Sequence, residues 1–201
     1  MEVIRKVMGA LETNTYLLKE NDQYIIIDPA GKANKIIDII GEDSVLAILL
    51  THGHFDHIKS VDALYKNYHC PVYLHEDDFD LVDPKNAKIR NCYMNLTASI
   101  SSPINKLKEG LYQIGPFYFE VFATPGHTKG SVIFVFEDAI FTGDTLFKDS
   151  VGRTDLYGGS ESDLKQSLKI FKTFNSDFTI YPGHDEITSL EAELQNNHYL
   201  R

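Results

Sequence analysis

The apolar run Val45–Leu50 breaks into Thr51-His52-Gly53-His54-Phe55-Asp56-His57, three imidazoles and a carboxylate within six positions where a strand gives way to a loop. A lone histidine in such a place is most often a satisfied core residue; this density of donors instead suits the gripping of cations. Residues two apart on an extended segment leave the backbone on the same side, so His52 and His54 can hold one ion, with Gly53 keeping the intervening position small. Asp56 and His57 follow as the chain turns and can face a second ion beside the first. Neutral imidazoles with a carboxylate suit zinc or iron. Four donors cannot close two sites, so others must arrive from distant strand ends.

Three later segments offer them. Thr124-Pro125-Gly126-His127 follows the strand 117–123, Thr142-Gly143-Asp144 follows the strand 139–142, and Tyr181-Pro182-Gly183-His184 follows the strand 178–181. In each, a glycine precedes the candidate ligand and permits close backbone approach or unusual φ. The remaining histidines form a control: His69 before Cys70-Pro71, His75 opening an acidic helix and His198 in the tail have no such context and read as surface or capping residues. Cys70 reads as a packed core thiol, and nothing in sequence near Cys92 would depress its pKa.

Around these exits the chain alternates between strand and helix patterns. Strands are expected at about 2–8, 14–19, 23–28, 45–50, 71–74, 111–114, 117–123, 131–136, 139–142 and 178–181. Tyr24–Ile27 and Val45–Leu50 are nearly continuous apolar runs, as in strands buried on both faces. Ala33, Ile36, Ile37 and Ile40 form a helical stripe ended by Gly41, and Ser160 caps a helix whose face carries Leu164, Leu168, Phe171 and Phe174. Residues 83–103 have weak periodicity and receive no element. The pattern predicts a layered α/β sandwich, two sheets inside and helices outside, spanning 1–201 as one domain.

Composition narrows the function. The 201 residues carry 19 Lys plus Arg against 29 Asp plus Glu, a net charge of −10 that opposes nucleic-acid and anionic-membrane partners. Two cysteines without a CxxC exclude a thiolate zinc ribbon. The opening residues lack the apolar core of a signal peptide, and no run approaches the roughly 20 apolar residues of a membrane helix. The expectation is a cytoplasmic protein, monomeric or a small homo-oligomer.

THGHFDH followed by PGH, TGD and PGH resembles the metallo-β-lactamase superfamily over nearly the whole chain. The run Leu146–Leu156, with Gly152-Arg153-Thr154-Asp155, is similar to its glyoxalase II-like hydrolases, the short bacterial branch above all. The resemblance implies a four-layer αββα sandwich with a dinuclear site at one sheet edge. It assigns His52, His54 and His127 to the first metal, Asp56, His57 and His184 to the second, and Asp144 to both. The ions would be zinc, with iron or manganese as alternatives. Arg153 is the candidate for anchoring a substrate carboxylate; its bland alternative is an internal pair with Asp155. Only 17 residues follow His184, so the helical glutathione-binding domain of full-length glyoxalase II enzymes is not expected.

The implied activity is hydrolysis of a small 2-hydroxyacyl thioester by metal-activated hydroxide, with Asp56 orienting the nucleophile. The rival is a mononuclear iron persulfide dioxygenase, whose members share the Gly-Arg-Thr-Asp run and use two histidines and the aspartate. A non-catalytic module is opposed by the filled ligand positions, a nuclease by the charge, and antibiotic hydrolysis by the lack of an export signal.

Overall fold

A computed structural model describes residues 1–175 and 177–201. The first half of the chain runs β1 (Glu2–Met8), β2 (Thr13–Glu20), β3 (Gln23–Ile27), α1 (Ala33–Ile40), β4 (Ser44–Leu49), α2 (Phe55–Ile58), α3 (Val61–Tyr68) and β5 (Val72–His75). A 3-10 turn, Glu76–Asp78, leads into α4 (Phe79–Val82), α5 (Ala87–Arg90), β6 (Cys92–Tyr93), β7 (Leu96–Thr97) and β8 (Ile104–Leu107). Then come β9 (Gly110–Ile114), β10 (Phe117–Ala123), β11 (Val132–Val135), β12 (Ala139–Gly143), β13 (Leu146–Phe147), β14 (Ser150–Val151) and α6 (Glu161–Ser167). The chain finishes with β15 (Thr179–Pro182), β16 (Thr188–Ser189) and α7 (Leu190–Asn196).

Two six-stranded sheets form, β1-β2-β3-β4-β5-β8 and β16-β15-β12-β11-β10-β9. Both are mixed: β3, β4, β5 and β8 run parallel in the first, β12 and β15 in the second, and the other pairs are antiparallel. Period-two alternation explains the layering. Ile25 and Ile27 of β3 meet Phe119, Phe134 and Phe141 of the opposite sheet, while Ile26 turns the other way onto Ile36 and Ile40 of α1 and Leu64 of α3. On the far face of the second sheet, Ile133, Ile140 and Ile180 pack on Leu164 of α6 and Leu190 of α7. Burying each such side chain is worth about 1.5–3 kcal/mol, so both faces of each sheet must be covered. The result is the expected αββα order.

The helix expected from Ala33 occupies Ala33–Ile40, and Gly41, at φ 63°, donates its N–H to the Ile37 carbonyl. Ser160 accepts from the Asp163 N–H at the start of α6. Cys70 is a buried core thiol, whereas Cys92 is exposed. His69 ends α3 in a left-handed conformation, and His75 caps the 3-10 turn.

Several elements escape the sequence patterns used above. In α3, Val61, Leu64, Tyr65 and Tyr68 repeat the i, i+3, i+4, i+7 spacing, but its two tyrosines weaken the apolar signal. Strand β8 lies at a sheet edge and buries only Leu107 of its four residues. The stretch 83–103 contains α5 and the β6–β7 hairpin, whose turn residues Met94 and Asn95 both have positive φ, as a two-residue turn matched to strand twist requires. Among the described residues no helix is long and apolar enough to cross a membrane.

Candidate metal centre

Four strand exits meet at one edge of the sandwich: the loop after β4, the β10–β11 loop, the end of β12 and the end of β15. Backbone bonds stitch them together. Val132 N–H donates to the Thr51 carbonyl at 2.8 Å, Gly183 N–H to Gly143 at 2.8 Å, and Asn14 N–H to Gly183 at 2.7 Å. Donor atoms of His52, His54 and His127 lie within 4.8 Å of one another, as do those of Asp56, His57 and His184. Asp144 reaches both groups: its Oδ2 is 3.3 Å from His127 Nε2 and 3.6 Å from His184 Nε2, and its Oδ1 is 3.4 Å from His57 Nε2. All seven side chains named from the sequence thus come together.

The supporting hydrogen bonds fix which ring nitrogen carries a lone pair. His127 Nδ1 faces the Arg153 carbonyl at 2.7 Å and His184 Nδ1 faces the Leu11 carbonyl at 3.0 Å. Carbonyls only accept, so both Nδ1 atoms hold protons and both Nε2 atoms point inward as acceptors. Thr51 Oγ1 gives its proton to Asp28 Oδ2 at 2.6 Å, so it accepts from His52 Nδ1 at 3.0 Å. Among the described residues, His52 Nε2 is left buried with no hydrogen-bond partner, and so is Asp144 Oδ1. His57 Nε2 and His184 Nε2 face each other at 3.3 Å. Two inward nitrogens this close need a cation between them, either a proton or a metal ion. The donor set therefore fits divalent ions.

Charge within the site points the same way. Burial pushes His52 well below the usual imidazole value, and burial with the neighbouring His127 pushes His54 down to about 3, so both stay neutral and ready to ligate. Burial opposes a charge on His57, but Asp56, Asp144 and Asp28 outweigh it and raise its pKa well above normal. Asp56 is held down to about 2: burial acts against its charge, but His57 and hydrogen bonds from His184 and Thr13 prevail.

Residues that the sequence motifs did not single out hold this arrangement. Asp28, which follows β3 with φ 49°, accepts from Thr51 N–H at 2.8 Å, from Thr51 Oγ1, and from His57 Nδ1 at 2.9 Å. Although Asp28 lies close enough to His52 and His57 to ligate, those bonds occupy its oxygens and make it a support. Asp78 takes the Gly53 and Gly130 N–H groups, each at 2.8 Å, and the Thr128 hydroxyl at 2.7 Å, joining two ligand loops. Asn91 accepts from Phe55 N–H and donates to the Gly53 carbonyl, both at 2.7 Å. The signal at Asp28 was a carboxylate directly after an apolar strand, the same placement as the ligands; Asp78 and Asn91 left none.

A cleft of about 570 Å3 opens over the centre, walled by Phe55, Asn91, Cys92, Tyr93, Phe147 and Arg153. Arg153 lies in this wall with its guanidinium fork on Asp155, at 2.6 and 2.8 Å, and 5.4 Å from the Tyr93 ring centroid.

The model of the metallo-β-lactamase superfamily matches residues 8–184, spanning every donor above. The chain belongs to that superfamily. It is 36% identical over 204 residues to the probable metallo-hydrolase YqgX of Bacillus subtilis, covering 98% of this chain and 96% of that one. Among solved structures, BLEG-1, a B3 metallo-β-lactamase, superposes with a TM-score of 0.90 at 36% identity over 99% of both chains. TTHA1623, solved in a di-iron-bound form, gives 0.88 at 34% identity, covering 98% of this chain and all of that one. Superfamily membership and the converging donors make the protein a metal-dependent hydrolase.

Proposed function

We propose that the protein hydrolyses small acyl thioesters, 2-hydroxyacyl esters among them, in the manner of glyoxalase II. The observation that carries this reading is the contrast between seven converged metal donors and the scarcity of free carboxyl groups in the cleft. The carboxylates lining it beyond the ligands are Asp155, engaged by Arg153, and Asp185. A thiolate, whose free pKa is near 8.5, leaves unassisted, whereas an alkoxide or amine needs a proton.

His52, His54 and His127 would hold one divalent ion and Asp56, His57 and His184 the other, with Asp144 shared; zinc is our assignment. Bound ions supply Lewis acidity and make hydroxide available near neutral pH by lowering the pKa of water from about 15.7 toward 7. Asp56 accepts from the Thr13 hydroxyl through Oδ2 at 2.7 Å, leaving Oδ1 to accept from the attacking water and orient it. Arg153 anchors an acidic thiol carrier by exchanging Asp155 for a substrate carboxylate, an exchange that a solvent-exposed ion pair allows.

A second reading, β-lactam hydrolysis, draws on the likeness to BLEG-1. Opening that ring creates an amine leaving group, and among the described residues the only carboxyl groups lining the cleft beyond the ligands are the ion-paired Asp155 and Asp185. Purified protein assayed side by side with S-lactoyl-glutathione, a simple acyl thioester and a cephalosporin separates the two. Thioester turnover with two ions per chain supports the proposal. Turnover of the cephalosporin alone, or one iron with oxygen uptake on a persulfide, contradicts it.

A further inference from the structure

A second cavity adjoins the cleft on the opposite side of the β6–β7 hairpin. It is a slot of about 200 Å3 lined by Ala10, Leu11, Gly31, Phe55, Leu96 and Thr97, with Lys32 and Lys59 also in its wall. The hairpin partitions the two spaces: Cys92 and Tyr93 of β6 face the cleft, while Leu96 and Thr97 of β7 face the slot. Leu11, Phe55 and Asp56 line both, so the two cavities share a wall that includes a metal-ligating carboxylate. Leu96 is an apolar side chain left 40% exposed in the slot.

We propose that this slot receives the acyl chain of the substrate while the larger cleft takes its thiol carrier. The assignment rests on the thioester reading. A thioester is two arms joined at one carbonyl, and the site offers two chambers on either side of a shared wall that carries the ligand Asp56. The cleft is the larger and carries Arg90 and Arg153, which suits a polar carrier. The slot is small and walled mainly by apolar groups; at roughly 30 Å3 per water-sized group it holds on the order of six heavy atoms. The preferred acyl group is thus an unbranched apolar chain of about four to six carbons, longer than lactoyl.

The test uses the metal-loaded protein and glutathione thioesters of acetate, butyrate, hexanoate and octanoate, with uncleavable S-methyl and S-hexyl glutathione titrated calorimetrically. We expect kcat/KM to rise roughly two- to fourfold per methylene as far as hexanoyl, the gain that comes with burying a CH2 group, and then to level off. S-hexyl glutathione should bind correspondingly more tightly than the S-methyl compound. Ala10→Phe, a change at an exposed turn residue of the slot wall, should flatten both trends. Turnover that ignores chain length, or a slope that Ala10→Phe leaves intact, overturns the slot assignment while thioester hydrolysis stands. Failure to hydrolyse any thioester overturns the underlying reading and this assignment with it.

Discussion

Asp28 Oδ2 lies 2.9 Å from His57 Nδ1, beneath the metal centre, and the same carboxylate takes two further bonds from Thr51. The pairing keeps the His57 proton on Nδ1 and turns Nε2 toward Asp144 and His184. Asp28→Asn keeps the size and tolerates the positive φ, but its amide cannot serve all three donors. Metal affinity should fall 10- to 100-fold with the fold retained, measured by chelator competition alongside circular dichroism.

A Cβ added at Gly183 would stand 2.2 Å from Asp144 Oδ1 and 2.8 Å from His57 Cε1. Gly183→Ala therefore pushes the shared carboxylate aside. Overpacking of this kind costs about 1–3 kcal/mol, so the melting temperature should drop and the second ion should be bound less tightly.

Removing metal reverses the electrostatics. The pKa values of His57 and His184 are raised in the metal-free site despite burial, through Asp56 and Asp144. A raised folded pKa stabilises the metal-free fold most below the unfolded value near 6.5 and is lost as pH rises through the folded value. Chelated protein should thus lose stability from about pH 6.5 upward, while loaded protein does not. Metal uptake near pH 7 should release protons, seen as a binding enthalpy that varies with buffer ionisation enthalpy.

Asn91 is buried and serves Phe55 N–H and the Gly53 carbonyl at once. Asn91→Ala leaves two buried backbone groups unpaired, each costing about 1–3 kcal/mol. The variant should unfold at lower denaturant and lose activity, because both bonds anchor the loop bearing His52, His54 and Asp56.

The two central sheets and the strand exits were legible because their signals are local. Continuous apolar runs mark β3 and β4, and each group of ligands begins within four residues of a strand end. What escaped is non-local. Asp78 matters because it bridges Gly53 to Gly130, and Asn91 because a weakly patterned segment folds back over α2. The tyrosines of α3 face a core that no window of sequence displays. The Arg153 position was legible, but its engagement by Asp155 was one of two alternatives that composition could not separate.

The central claim is that Asp144 joins two groups of three donors into a dinuclear centre, and metal counting by native mass spectrometry tests it most directly. Wild-type protein should carry two divalent ions per chain, and Asp144→Ala, folded, should retain at most one. A wild-type chain that binds a single ion at saturation, or a folded variant that still holds both, would contradict the account.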